Sequence, residues 1–562
     1  MYLLSRKALV KRNAVILGAS LASIGTVFAS VQPSLHEDIE KKENEVEGRF
    51  GTLKKTPSFK FVKELVENTG LVRFGRAAVS VLSVIIDYKY LFWKYEANSE
   101  IFKTEKSKCH LRSAIRLRDL CCMNGGIFIK VGQHLGALDY LLPAEYVNTM
   151  KVLHTDAPQS SFEDVVQVVE QEFGRSYCEL FNSFSEKPVG SASLAQVHKA
   201  ELKDGRTVAL KVQHKNVLAH SLIDTATLEF LVAVVKKLFP DFQFTWLVEE
   251  IKRNLPLELD FCNEGKNCEM LGRMVSRFPY LKVPKIHWDL TTRRLLAMDF
   301  CEGGRIDDLE FIEKSGLSKI EISSKIGQLY SEMIFVNGYI HCDPHPGNIL
   351  VSKNKHNEAE IIMLDHGLYQ TLTDEFRVTY CKLWQALVRA DVDAIKHHSD
   401  ALGVGDMYGL FACIISARSW DAITSGIDKT SFSKQEMKEI QNFAVKYIPE
   451  ITEILNRVPR QMILLLKTND LLRGIDSKLS ATRSFVTLSK CCLRAVKEYD
   501  LSNCNGLFCW FSVQLRAKVD EMRITLYQIS MSSCANQLSG ILTLFIFPIR
   551  KIARFISTIF IL

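Results

Sequence analysis

Lys211, Asp343, Asn348 and Asp365 are far apart in the chain, yet together they are the residue types that hold a magnesium-bound triphosphate. An ammonium offsets phosphate charge, carboxylate and amide oxygens suit a hard cation, and a further carboxylate can orient or deprotonate an attacking hydroxyl. Each stands in a short motif, and the motifs follow in the order that phosphoryl transfer between two lobes requires. His341-Cys-Asp-Pro-His-Pro-Gly-Asn348 has the spacing H-x-D-x-x-x-x-N, which casts Asp343 as the catalytic carboxylate and Asn348 as a magnesium ligand. The apolar run Ile361-Ile-Met-Leu364 leads into Asp365-His-Gly367, where Asp365 would ligate the ion bridging the phosphates. Val208-Ala-Leu-Lys211 ends in the lysine expected to pair with the α- and β-phosphates. That lysine needs an acid on a neighbouring helix. Glu264 is the preferred partner and Glu258 the runner-up, both in the helical stretch that opens at Leu257.

A loop over the phosphates is expected at Gly190-Ser-Ala-Ser-Leu-Ala-Gln-Val197, which fits G-x-G-x-x-G-x-V with Ala192 and Ala195 at the second and third glycine positions. Gly190, Ser191, Ala192, Ser193 and Val197 are its candidate nucleotide-binding residues. The two alanines add Cβ atoms and forgo positive φ, so the loop should be stiffer than its glycine counterpart and transfer slower. Arg294-Leu-Leu-Ala-Met-Asp-Phe300 reads as a strand running into Cys301-Glu-Gly-Gly304, where the backbone of Asp299, Phe300 and Cys301 would meet adenine at an interlobe hinge. Downstream of Gly367 only a few residues precede Thr371-Leu-Thr-Asp374, a helix-start signature, and no A-P-E motif follows. The long segment that docks peptides is missing, which disfavours a protein substrate. Single histidines such as His345 and His366 are expected to be packing groups.

Positioning these side chains calls for two strands joined by a hairpin at Asp204-Gly205, a helix bearing Glu264, a hinge strand, and a second, mostly helical lobe. The fold class is therefore α+β, bilobal and protein-kinase-like. With 562 residues, 47% hydrophobic and 24% charged, the chain is globular and too polar for a multi-span membrane protein. Its formal charge of +7 resides at its ends. Residues 1–35 hold Arg6, Lys7, Lys11 and Arg12 with no acid, and residues 535–562 hold Arg550, Lys551 and Arg554 with no acid. The body is balanced and makes no case for nucleic acid.

The first of these ends, with its small-residue apolar stretch Ala14–Ala29, suits a mitochondrial presequence or short anchor. At the other, Ile549, Ile552, Ile556 and Ile559 recur at helical spacing, as in an interfacial helix or a last helix docked on the protein. The run Ala77–Ile86 is too short to span a bilayer and reads as part of a buried helix. The 15 cysteines include no C-x-x-C and suit buried thiols in a reducing compartment.

Beyond these motifs the sequence resembles the UbiB family of atypical kinases, also called aarF-domain-containing kinases, from about residue 105 to about 480. Lys130-Val-Gly-Gln133 matches the family's K-x-G-Q and Glu258-Leu-Asp260 its E-x-D, alongside the His-x-Asp-Pro-His-Pro-Gly-Asn loop. The resemblance implies a helical N-terminal extension that lays K-x-G-Q over the active site. Regulatory residues Lys130 and Gln133 would then sit near Glu258 and Asp260 and block the peptide surface. It further implies ATP and Mg2+ as cofactors, an inner-membrane mitochondrial setting, ubiquinone or other lipid metabolism, and ATPase or small-molecule kinase activity. A membrane lipid or small-molecule substrate and mitochondrial inner-membrane proteins are the implied partners.

The expected layout is a targeting or anchor segment at 1–35, a charged linker at 36–60, the helical extension at 61–160, N-lobe and hinge at 161–304, the helical C-lobe at 305–530 and an apolar, basic tail at 535–562. Two other readings stay open. One is a nucleotide-gated scaffold maintaining mitochondrial membrane structure without kinase chemistry. The other is a metal-dependent phosphohydrolase built on His341, Asp343, His345, Asp365 and His366.

Overall fold

A computed structural model describes residues 70–532 except 97–98, 137–141, 155–157, 241–244, 426–446 and 480–483. The expected targeting segment, linker and C-terminal tail lie outside the described residues. The chain opens with α1 (Gly70–Lys94) and α2 (Glu100–Asn124), then α3 (Ile127–Gly136) and α4 (Ala144–Met150). Ser99 starts α2 by accepting the Phe102 N–H, and Gly125 ends it at φ 64°. The apolar run within α1 is buried on one face only: Ala77 and Ile85 are covered, whereas Val79 and Ile86 are exposed.

The N-lobe follows with α5 (Phe162–Phe173), β1 (Phe181–Phe184), β2 (Gly190–Ser191), β3 (Ala195–Leu202) and β4 (Thr207–Gln213). Next come α6 (Val217–Leu238), α7 (Thr245–Glu258), α8 (Phe261–Met274), β5 (Leu281–Lys282) and β6 (Leu295–Asp299). Its sheet runs β1-β3-β4-β6, with β2 hairpinned onto β3. Strand alternation divides the β4 side chains between two cores. Val208, Leu210 and Val212 pack with Val165, Val168 and Val169 of α5, while Ala209 joins Phe261, Leu296 and Met298 on the face that carries Lys211.

Helix α6 packs in the N-terminal helical layer. Its Leu231 shares a core with Ala77, Leu120, Phe128 and Leu153, and its Asp224 is paired with Arg73 of α1. The Arg73 Nε donates to Asp224 Oδ1 at 2.8 Å and its Nη1 donates to the Asn124 carbonyl at 2.6 Å, both side chains being nearly fully buried. Among the described helices α6 has the length and apolarity of a membrane span, yet its buried face holds this ion pair.

The C-lobe contains β7 (Gly304–Arg305), α9 (Lys319–Ser331), β8 (Tyr339–His341), β9 (Ile349–Lys353), β10 (Ala359–Met363) and β11 (Tyr369–Thr371). Its helices include α10 (Asp374–Arg389), α11 (Val392–Ala401), α12 (Arg460–Leu479), α13 (Ser484–Ser502) and α14 (Leu507–Ser532). Thr373 caps α10, as the Thr371-Leu-Thr-Asp374 signature predicts. The mixed α+β class, small sheets and helical C-terminal region agree with the sequence reading. Its cysteine expectation needs one correction: Cys504 and Cys509 form a local disulfide across the Gly506 turn, a spacing of five that carries no motif.

Candidate functional site

In the β3–β4–β6 register Lys211 lies opposite Val197 and Leu296, on the sheet face turned toward α8. Its Nζ donates to both Glu264 oxygens at 2.7 and 2.9 Å and lies 3.5 Å from Asp365 Oδ1. Burial works against the ammonium, but Asp365 and Glu264 outweigh it and hold Lys211 above its ordinary pKa. Burial also lifts Glu264 to about 7 against the pull of Lys211. Asp365 accepts the Gly367 N–H at 3.0 Å, and although burial would raise its pKa, Lys211 and that N–H keep it down at about 2. Of the two acids proposed to partner Lys211, the structure selects Glu264.

Asp343 follows β8. Lys467 Nζ donates to its Oδ1 at 3.1 Å and Lys130 Nζ lies 3.8 Å from its Oδ2. These cations hold the Asp343 carboxyl far below its usual range despite burial. Asn348 ends a single turn of 3-10 helix, Pro346–Asn348, and its carbonyl accepts the Leu364 N–H at 3.0 Å. That backbone bond ties the catalytic-type loop to the strand end that carries Asp365. Of the four residues singled out for triphosphate chemistry, Lys211 thus stands beside Asp365, Asp343 is flanked by two ammonium groups, and Asn348 is tied through its backbone to the strand end that carries Asp365.

The loop expected over the phosphates is a tight turn, Ala192 N–H to Ala195 O at 2.8 Å, with Ser193 and Leu194 at its tip. Gly190 and Ser191 pair with Val197 and Gln196. Leu194 is buried among Ile127 of α3, Val217 of α6, and Leu247, Ile251 and Leu255 of α7. His214 holds the turn from behind: its N–H donates to the Leu194 carbonyl at 3.0 Å, and its Nε2 meets the Ala192 carbonyl at 3.2 Å. At the hinge, the Asp299 N–H is engaged by the Lys285 carbonyl and the Phe300 N–H by the Thr207 carbonyl, so two of the three residues assigned to adenine already spend their donors. Cys301 is buried beside them.

The extension reaches the cleft through α3, where Lys130 Nζ lies 2.9 Å from Glu258 Oε2. Gln133 and Asp260 each engage a backbone group. The Gln133 side chain donates to the Leu153 carbonyl at 3.0 Å, and Asp260 caps α8 by accepting the Cys262 N–H at 3.1 Å. Both satisfy backbone groups at element ends, and the direct side-chain pairing between the K-x-G-Q and E-x-D motifs is that of Lys130 with Glu258. Gly132 lets α3 approach its neighbours: a Cβ there would stand 2.3 Å from Leu153 Cδ1 and 3.2 Å from Cys121 Sγ. Gly132→Val is therefore expected to cost about 1–3 kcal/mol through overpacking and to loosen α3 from the cleft. Thermal denaturation with hydrogen exchange across 127–136 measures both. A variant that melts and exchanges like the wild type would contradict this packing.

The five residues of the phosphohydrolase reading do not form a cluster. His341 turns to the Tyr330 hydroxyl at 2.8 Å, and His366 to the Tyr369 hydroxyl at 2.9 Å and the Met363 carbonyl at 3.1 Å. His345 stacks on His154 with centroids 4.6 Å apart. Among the described residues no group of three or more His, Cys, Asp and Glu side chains is placed to hold a metal ion. Sequence reasoning assigned no role to Lys467: the stretch 458–469 that holds it resembles the family, but nothing in its residue types points to chemistry, and the tertiary fold brings it to Asp343.

An ABC1 atypical kinase-like domain matches residues 152–399. The chain is 53% identical over 464 residues to AarF domain-containing protein kinase 1 of Gallus gallus, covering 82% of this chain and 89% of that one. It is 54% identical to AarF domain-containing protein kinase 1 of Mus musculus, over 78% of this chain and 84% of that one. Identity to AarF domain-containing kinase 1 of Drosophila melanogaster is 47%, with 76% and 83% covered.

Proposed function

Because the chain belongs to the ABC1 or AarF family of atypical kinase-like proteins, we propose that it binds ATP with Mg2+ and passes the terminal phosphoryl group to a small-molecule or lipid acceptor, or to water, and not to a peptide. The observation that carries this reading is the convergence of Lys211, Glu264 and Asp365 in a cleft whose other end, at Asp343, is covered by the Lys130–Glu258 pair. The donor set fits magnesium: burial notwithstanding, Asp365 stays a carboxylate, Asn348 would offer an amide oxygen, and the Asn348 carbonyl is bonded to the N–H of Leu364, the residue before Asp365. Bound between Asn348 and Asp365, the ion would neutralise charge on the phosphates. Lys211 would pair with the α- and β-phosphates, fixed in direction by Glu264. Asp343 would orient the acceptor hydroxyl. With Lys130 on Glu258 and 3.8 Å from Asp343, an extended peptide would be kept from Asp343 more than a small acceptor.

Membrane lipid or ubiquinone-related chemistry at the mitochondrial inner membrane is the setting we assign. It is supported by the family and by the basic, apolar character of residues 1–35 and 535–562. The test is ATP consumption by the full chain with Mg2+, assayed alone, with vesicles of phosphatidylcholine and cardiolipin, with small phenols, and with a mixed protein substrate. ADP release stimulated by vesicles or phenols, with no label on protein, is the expected result. Efficient protein labelling would overturn the small-acceptor reading.

The seating of Leu194 and the Lys130–Glu258 closure favour one second reading, a nucleotide-gated scaffold that organises inner-membrane partners without transfer. Absence of ADP release under every condition, with rescue of null cells by a Lys211→Arg, Asp343→Ala double variant, would select it.

A further inference from the structure

Helix α12 turns one face to the cleft. Arg460 and Lys467 are seven residues apart, two helical turns, and so lie on the same side. Arg460 forks onto Glu250 at 2.8 and 3.2 Å and onto Asn254 at 2.7 Å, both in α7. Lys467 donates to Asp343 at 3.1 Å. Next along the helix, Asn469 donates to the Tyr380 hydroxyl of α10 at 3.0 Å. Held at these points, α12 fixes the Lys467 stem, whose side chain is only 16% exposed.

The charge inventory of the cleft gives this lysine a task. In a loose phosphoryl-transfer transition state, negative charge spreads over the three equatorial oxygens and must be met by cations already in place. Lys211 stands at the Asp365 end and is bound by Glu264. Between Asp343 and Asn348 the one titratable side chain is His345, which burial keeps below its ordinary pKa and which stacks on His154. Lys130 is closer to Glu258 than to Asp343, 2.9 against 3.8 Å. Among the described residues, Lys467 is the ammonium within hydrogen-bond reach of the carboxylate at the acceptor end.

We propose that Lys467 contacts the terminal phosphoryl group of bound nucleotide, with Asp343 as its anchor, and is a catalytic residue contributed by the C-terminal helix α12. The proposal rests on the nucleotide reading above. In the transfer step the bond from the terminal phosphorus to the bridging oxygen breaks and the acceptor oxygen bonds phosphorus. The acceptor proton passes to Asp343 late, when attachment to phosphorus has made it strongly acidic, so a weakly basic carboxylate suffices. The leaving group, ADP, takes the electron pair, and Lys467 keeps its protons throughout.

The test uses the full chain, wild type, Lys467→Gln and Lys467→Arg, titrated with ATP and with ADP in Mg2+ and assayed for ADP release. In the Gln variant the ATP Kd is expected to rise about tenfold with the ADP Kd within about twofold, because only ATP carries the group contacted. Turnover should fall about a hundredfold or more. The Arg variant keeps the charge and should retain most of the preference for ATP over ADP. An unchanged ATP-to-ADP ratio in Lys467→Gln, with only a lower melting temperature, would make Lys467 a mere counterion of Asp343 and overturn the proposal. Wild-type protein that binds neither nucleotide would remove the nucleotide reading itself, an outcome visible before any variant is made.

Discussion

Asp365→Asn will eliminate magnesium-dependent ATP binding and reduce ADP release by about a thousandfold or more. The substitution keeps the side-chain shape, and the amide oxygen can still accept the Gly367 N–H, so the local turn should survive. What disappears is the negative charge, which serves both as a hard-cation ligand and as one of the two acids that hold Lys211. Calorimetric titration of ATP with and without Mg2+, beside a denaturation curve, separates lost ligation from lost folding. A folded Asp365→Asn protein that binds magnesium-ATP like the wild type would place the cation elsewhere and dismantle the site.

The second large effect is on stability. Asp224→Ala strands the Arg73 guanidinium, 5% exposed, with only the Asn124 carbonyl for company. Removing one partner of a buried pair costs about 3–5 kcal/mol because the other charge is left without compensation in a poor dielectric. The pair joins α1 to α6, so urea denaturation should show the loss, and limited proteolysis should cut α1 first. Replacing both partners, Arg73→Met with Asp224→Leu, should recover most of the loss, since an apolar pair of similar volume carries no desolvation penalty. If the single variant unfolds at the wild-type urea concentration, the pair does not anchor the helical layer.

The legible parts of this molecule were those where chemistry dictates residue type and spacing together. Asp343 and Asn348 had to share a short loop, Lys211 had to stand on a strand, and Glu264 had to face it from a helix, so the pattern survived in one dimension. The Asp204-Gly205 hairpin was visible for the same reason: its turn requires the positive φ of 86° seen at Gly205. The hydrogen bonds of Gln133 and Asp260 were not legible because their partners are backbone groups, which leave no trace in the residue pattern. Lys467 was missed because one lysine on an amphipathic helix looks like solvent-facing charge until a distant carboxylate is folded against it. Strands of two residues such as β5 and β7 show no alternation at all, so tertiary pairing alone defines them. Helix α6 follows the N-lobe strands in the chain yet packs with α1–α4, a swap of layers that sequence order cannot reveal.

The seat of Leu194 bears on how fast a spent nucleotide could leave. Lifting the Ala192–Ala195 turn means withdrawing a leucine from between α3, α6 and α7, at a cost of about 1.5–3 kcal/mol for the exposed side chain. At equilibrium that confines the raised turn to roughly one molecule in ten to one in a hundred. Residence time would then be governed by a helix that precedes both lobes in the chain, so that whatever pulls on α3 also sets the clock for ADP.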